Sequence, residues 1–287
     1  MKTISKVFSC ILAFSSLLGS VEGQNRYKIW YDKPASYWEE ALPIGNGRIA
    51  AMVFGDPQLE QIQLNEETVS AGSPYQNYNE EAKAALPEMR RLIFEGKYEE
   101  AQNMAATKIL SQVGNEMPYQ TVGRLSIRYQ DHKKVSNYYR DLDISNAMTV
   151  TRYKVDGVEF TEETFASFTD QLVIRHIKSS KPGAINCELF FNTPMRDPKR
   201  SIYGKKGLRL EGITHGSRYF PGKVHYCADL DVKNKGGEVT MANDKRQMIR
   251  CLVFRAPANL HCTSRWQQTS SIIKIYRVIR ISGIKPI

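Results

Sequence analysis

The sequence predicts a mainly β protein: an antiparallel sandwich with a short helical insertion over about residues 79–110. Three observations carry this. Short β-branched and aromatic runs alternate with turn residues from Tyr27 onward. Asp156-Gly157 lies between two such runs, the pair that a tight hairpin demands. One stretch only, around Leu92 to Ile109, has apolar residues at helical spacing.

The strand-like runs are Arg48–Phe54, Leu59–Leu64, Gly123–Tyr129, Met148–Val155, Val158–Phe165, Leu172–Lys178, Ile185–Phe191, Leu208–Ile213, Val224–Val232 and Glu238–Met241. Their lengths and spacing suit strands that each show one face to a core. In the insertion, Asn77 can cap a helix with Glu80 three residues on. Pro87 is expected to open a fresh helix rather than sit inside one. Leu92, Ile93, Tyr98, Ala101, Met104, Ala105 and Ile109 form its stripe, broken at Gly96.

Charge divides the chain. The formal net charge is +10 over 287 residues. Residues 245–287 hold nine Lys and Arg and no acidic residue, while residues 24–244 hold 29 of each sign. The body is therefore neutral, and the global charge is no argument for a nucleic-acid partner. With 41% hydrophobic and 24% charged residues the chain is of globular composition. The N-terminus reads as a secretory signal peptide over residues 1–23. Lys2 and Lys6 precede an apolar run from Val7 to Leu18, and small residues follow near Gly19 to Gly23. That run is too short for a comfortable membrane span, so a periplasmic or extracellular location is expected, with no membrane span after cleavage.

Chemistry is hard to find in the residues themselves. Cys187, Cys227, Cys251 and Cys262 show no zinc or redox spacing, and a Cys187–Cys227 disulfide is left open. His132, His176, His215, His225 and His261 include no pair at metal-ligand spacing. Asp229 and Asp231 share a strand face and read as a polar surface more readily than a calcium site. Glu39-Glu40, Glu66-Glu67, Glu99-Glu100 and Glu162-Glu163 are doublets. Neighbours on a strand face opposite ways, so each doublet reads as solvated surface rather than an acid–base pair. Gly45-Asn46-Gly47 reads as a turn, not a phosphate loop. Trp30, Tyr31, Tyr37, Trp38, Tyr75 and Tyr78 could stack on sugar rings, although core packing is the commoner use of such residues. No catalytic residue, metal ligand or cofactor site is assigned, and the substrate-binding residues are left unknown.

Two blocks carry a resemblance. Leu42-Pro43-Ile44-Gly45-Asn46-Gly47-Arg48 and Gln63-Leu64-Asn65-Glu66-Glu67-Thr68 lie within Ala41 to Asn79. This stretch resembles the start of glycoside hydrolase family 95, which includes exported bacterial α-L-fucosidases. The likeness begins at Trp30-Tyr31-Asp32-Lys33-Pro34-Ala35. It continues through Leu86 to Ile93, Gly96 to Ala101, Tyr138 to Asp143 and Phe165 to Phe168. Ser70 departs from it, standing where the family usually has tryptophan.

The resemblance implies an N-terminal β-super-sandwich at residues 24–244, incomplete at its C-terminal end. In the family a helical linker, an (α/α)6 barrel and a small β domain follow. The catalytic acid and the water-activating residues lie in the barrel, and no cofactor is needed, so no catalytic position carries over to this chain. The implied partner is a fucosylated oligosaccharide or glycan, reached through the parent enzyme, and this fragment alone is expected to be inactive. A non-catalytic carbohydrate-binding sandwich is the alternative.

Residues 245–287 read either as a basic tail or as an out-of-frame segment. Read one nucleotide earlier, the codons from His261 to Val278 permit LYISMATNFINYKDISGN without a stop, which resembles the family's next strand. A frameshift between about Asp244 and Arg255 is therefore expected. A sandwich cut there would have an unpaired edge.

Overall fold

The computed structural model describes residues 27–71, 78–111, 117–216, 221–235, 237–243, 249–254 and 269–276. The expected signal peptide over residues 1–23, Asn77, Tyr75 and His261 lie outside these residues. Among the described residues, sixteen strands form two antiparallel sheets.

The first sheet has the order β1-β6-β7-β8-β9-β16-β13-β12-β11. Its members are β1 (Lys28–Tyr31), β6 (Val135–Asp143), β7 (Met148–Val155), β8 (Val158–Ser167) and β9 (Leu172–Ser179). The others are β11 (Arg196–Tyr203), β12 (Gly207–Ile213), β13 (His225–Asn234) and β16 (Thr269–Tyr276). The second has the order β14-β15-β10-β5-β4-β3-β2. It comprises β2 (Leu42–Gly45), β3 (Ile49–Val53), β4 (Leu59–Glu66), β5 (Gly123–Tyr129), β10 (Cys187–Asn192), β14 (Glu238–Asn243) and β15 (Ile249–Phe254).

The core lies between the sheets because each strand alternates. Ile62 and Leu64 of β4, Leu125 and Ile127 of β5, and Leu189 and Phe191 of β10 are buried from one side. Tyr153 of β7, Ile177 of β9, Leu208 and Leu210 of β12 and Leu230 of β13 are buried from the other. The Asp156-Gly157 hairpin is as expected: both residues have positive φ, 48° and 80°, and Val155 pairs with Val158. Such a turn matches the twist of the strands it joins. Within the first sheet, β16, from the C-terminal segment, lies between β9 and β13 and pairs with both.

The insertion holds α1 (Ala82–Phe94), α2 (Tyr98–Met104) and a π turn over Ala105–Ile109. Pro87 lies inside α1, not at the start of a helix. Ala82, Lys83, Ala84 and Ala85 before it are good helix formers, and helix already exists when proline arrives. Asn79 shapes the turn that leads into the helix, its Oδ1 accepting from the Glu81 amide at 3.0 Å and its carbonyl from Ala82 at 3.0 Å. Gly96, at φ 76°, ends it, with Lys97 N donating to Leu92 O. The stripe is only partly buried: Leu92 and Ala101 are covered, whereas Ile93 and Tyr98 are exposed.

Cys187 and Cys227 are not joined. Cys187 belongs to the core face of β10, and Cys227 lies on β13 between the inward-facing Tyr226 and Ala228.

Candidate functional site

Two polar assemblies could bear function, one inside the sandwich and one on its surface. The internal one was not legible as surface doublets. Glu66 and Glu162 are buried, as is Glu40, while Glu67 and Glu163 remain at least partly exposed. The expectation of solvated doublets fails for one member of three of them: strand alternation sends Glu66 and Glu162 inward, and Glu40 is buried at the end of a 3-10 turn over Trp38–Glu40. Glu60, outside any doublet, is fully buried too.

Arg175 of β9 gathers two of these carboxylates. Its Nη2 donates to Glu60 Oε2 at 2.5 Å and also to Glu162 Oε2, and its Nη1 donates to Thr164 Oγ1 at 2.8 Å. Tyr129 and Tyr153 hydroxyls donate to Glu162 Oε1 at 2.7 and 2.6 Å. The amides of Gly55 and Gln61 donate to Glu60 Oε1 at 2.8 and 2.9 Å. Burial pushes both tyrosine hydroxyls up. Burial by itself would lower the Arg175 guanidinium, but Glu60 and the two phenols outweigh it and the net direction is up.

His132 packs on this cluster, stacked on Tyr129 at 4.3 Å between ring centres and edge-on to Phe160 at 4.4 Å. Its Nδ1 lies 2.9 Å from the Pro57 carbonyl, which only a protonated Nδ1 can serve. Burial lowers its pKa. Two carboxylates against one guanidinium nitrogen are close enough to imitate a retaining glycosidase pair. Both are sealed in the core, with side chains 0% and 2% exposed, and no sugar can reach them.

The two resemblance blocks interlock. Arg48 Nε donates to Glu66 Oε1 at 3.0 Å, and Glu67 N donates to Arg48 O at 3.0 Å. Glu66 Oε2 accepts from the amide and the hydroxyl of Thr68 at 2.7 and 2.6 Å. Asn46 Oδ1 accepts from the amides of Arg48 and Ile49, and its Nδ2 donates to Ser167 O at 2.7 Å, tying the turn to β8. These blocks hold sheet to sheet, and neither opens to solvent as an acid–base pair.

The surface assembly is a cleft of about 580 Å³, lined by Lys33 to Trp38, Phe54, Asp56, Gln61 and Arg124. Tyr37 and Trp38 are 58% and 53% exposed. Arg140, itself 0% exposed, fixes the loop that carries them: Nε donates to Lys33 O at 2.8 Å and Nη1 to Glu40 O at 2.7 Å. Glu40 Oε2 accepts from Ser36 N at 2.8 Å and Oε1 lies 3.3 Å from Lys33 Nζ. The Ser36 amide bond is the main cause holding the Glu40 carboxyl below its ordinary value, and a hydrogen bond to Glu40 raises Tyr37. Also lining the cleft, Arg124 Nη1 donates to Gln61 Oε1 at 2.7 Å.

The remaining candidates are structural or solvated. Asp229 forms a bidentate pair with Arg209, at 2.6 and 2.7 Å, which accounts for its place on β13. His176 Nδ1 sits 3.4 Å from Glu163, and His225 is exposed. Trp30 stacks on Tyr139 and Tyr31 lies under Arg140. Tyr78 is exposed. Among the described residues no three His, Cys, Asp or Glu gather as a metal site, and no helix is long and apolar enough to cross a membrane.

The family model for "Glycosyl hydrolase family 65, N-terminal domain" matches residues 29–253. Alpha-L-fucosidase 2 of Arabidopsis thaliana is 36% identical over 171 residues, which is 58% of this chain and 20% of that protein. Probable alpha-fucosidase A of Aspergillus niger is 26% identical over 162 residues, 53% of this chain and 20% of that protein. The chain thus spans about a fifth of these relatives. Among solved structures, a putative kojibiose phosphorylase from human microbiome is similar at a TM-score of 0.48 and 10% identity, over 90% of this chain and 33% of that one.

Proposed function

The chain belongs to the glycosyl hydrolase family 65 N-terminal domain family, and from that premise we propose that it is the N-terminal domain of an exported α-L-fucosidase-like enzyme of glycoside hydrolase family 95. Its substrates are fucosylated glycans, met in the periplasm or outside the cell. The likeness to the plant α-L-fucosidase is the observation that carries this reading. The chemistry belongs to a barrel following the sandwich, and the sandwich supplies a rigid support with no turnover of its own. The sealed state of Glu60 and Glu162 supports that division.

In this reading residues 245–287 lie at least partly out of frame. The family match, which reaches residue 253, supports a shift at the late end of the expected interval. Sequencing the coding strand across codons 240–287 and beyond, then assaying the product of a one-base correction, tests the proposal. A long frame whose product releases fucose is the expected result. An unaltered frame, or a long product that leaves fucosylated glycans intact, would sink it. The open aromatic cleft favours a second reading, a non-catalytic carbohydrate-binding sandwich.

A further inference from the structure

We propose that the cleft beside Trp38 is a binding subsite for a neutral saccharide, with Trp38 and Tyr37 as the stacking wall and Arg124, Gln61 and Asp56 as the hydrogen-bonding wall. This gives the carbohydrate-binding reading a place and a ligand class, and rests on that reading. The fucosidase assignment stands or falls separately.

The cleft has the size of a small-ligand site. Two aromatic rings stand more than half exposed on its rim, each offering an apolar face beside a polar edge. Saccharide rings have that character, with C–H faces and hydroxyl edges. The same cleft supplies the complement: the guanidinium fork of Arg124, the amide of Gln61 and the carboxylate of Asp56 line it too. Asp56 Oδ1 already accepts from Gln58 N at 2.7 Å and Leu59 N at 3.1 Å, so Oδ2 is the oxygen left for a ligand hydroxyl.

The site is preorganised. Arg140 fixes both ends of the aromatic loop. Gly55, at φ 76°, lies so close that an added Cβ would come 2.7 Å from Tyr138 Oη and 2.9 Å from Arg140 Cδ. Rigid placement before binding reduces the ordering cost. A peptide strand is a poorer fit, because Ala35 N already donates to Phe54 O and Phe54 N to Gln61 O. An anionic ligand is also a poorer fit, because Lys33 is paired with Glu40 and Arg124 faces the same space as Asp56.

Tryptophan fluorescence and calorimetry on the 287-residue chain test this with a neutral fucosylated trisaccharide, lactose and a sulfated disaccharide. Saturable binding of a neutral sugar is expected, little changed between low and high salt. Trp38→Ala should weaken it by at least about tenfold, and Arg124→Gln by a smaller factor. Both positions are on the surface, so unchanged melting curves would show that the variants fold. Three results would overturn the proposal: no saturation up to about 10 mM, Trp38→Ala binding as tightly as the parent, or binding confined to the sulfated sugar. Fucose release by a longer product bears on the fucosidase reading alone.

Discussion

Glu60 and Gln61 sit side by side on β4 and face opposite ways. Glu60 points into the sandwich, where it meets Arg175 in a cluster closed to solvent. Gln61 points out, where it meets Arg124 in an open cleft. The inner assembly has the higher density of charge and no access. The outer one has modest charge, exposed rings and room for a ligand. Carboxylates close to one another are not a catalytic site unless a substrate can reach them, and here the alternation of one strand separates the two cases.

Removing the guanidinium tests the inner half most severely. Arg175→Met leaves Glu60 and Glu162 buried and uncompensated, and should cost about 3–5 kcal/mol, measured by denaturant unfolding. A loss under about 1 kcal/mol would mean that the cluster is hydrated after all. Gly55→Ala acts on the seam between the two halves. Its positive φ and the close approach of Tyr138 and Arg140 predict a loss of about 1–3 kcal/mol, together with weaker saccharide binding in the cleft.

A pH titration sharpens the inner half further. Burial lowers the folded pKa of His132, so the native state favours neutral imidazole. Its contribution is fully present above the unfolded value of about 6.5 and is lost as pH falls toward the folded one. His132→Phe should therefore flatten the fall in melting temperature as pH drops below about 6.5. An unchanged slope would remove His132 as its cause. The smallest stability effect belongs to the outer half: Trp38→Ala should shift unfolding by less than about 0.5 kcal/mol while abolishing most binding.

The sandwich was largely legible because its long strands alternate. Three of the strands that escaped have identifiable interruptions. In β6 the register shifts between Ser136 and Tyr139, and Asn137 has φ 51°. In β11 Pro198 sits inside a shift between Arg196 and Lys199, and Asp197 has φ 48°. Each bulge breaks the period-two pattern that marks a strand. β2 is four residues long and includes Pro43. The inner cluster left a trace in the sequence: Glu60, Ile62, Leu64 and Glu66 share one face, so two acids travel with two core residues. The cleft left less, since Asp56, Gln61 and Arg124 come from different segments that meet only when β4 pairs with β5.

The central claim is that this sandwich supports glycoside chemistry without performing it. Quantifying fucose released from a fucosylated oligosaccharide by the purified 287-residue chain tests that most directly. The account predicts none above the buffer blank. Multiple turnovers that are abolished by Glu162→Gln or Glu60→Gln in a protein that still folds would contradict it, because the inner carboxylates would then be a working pair.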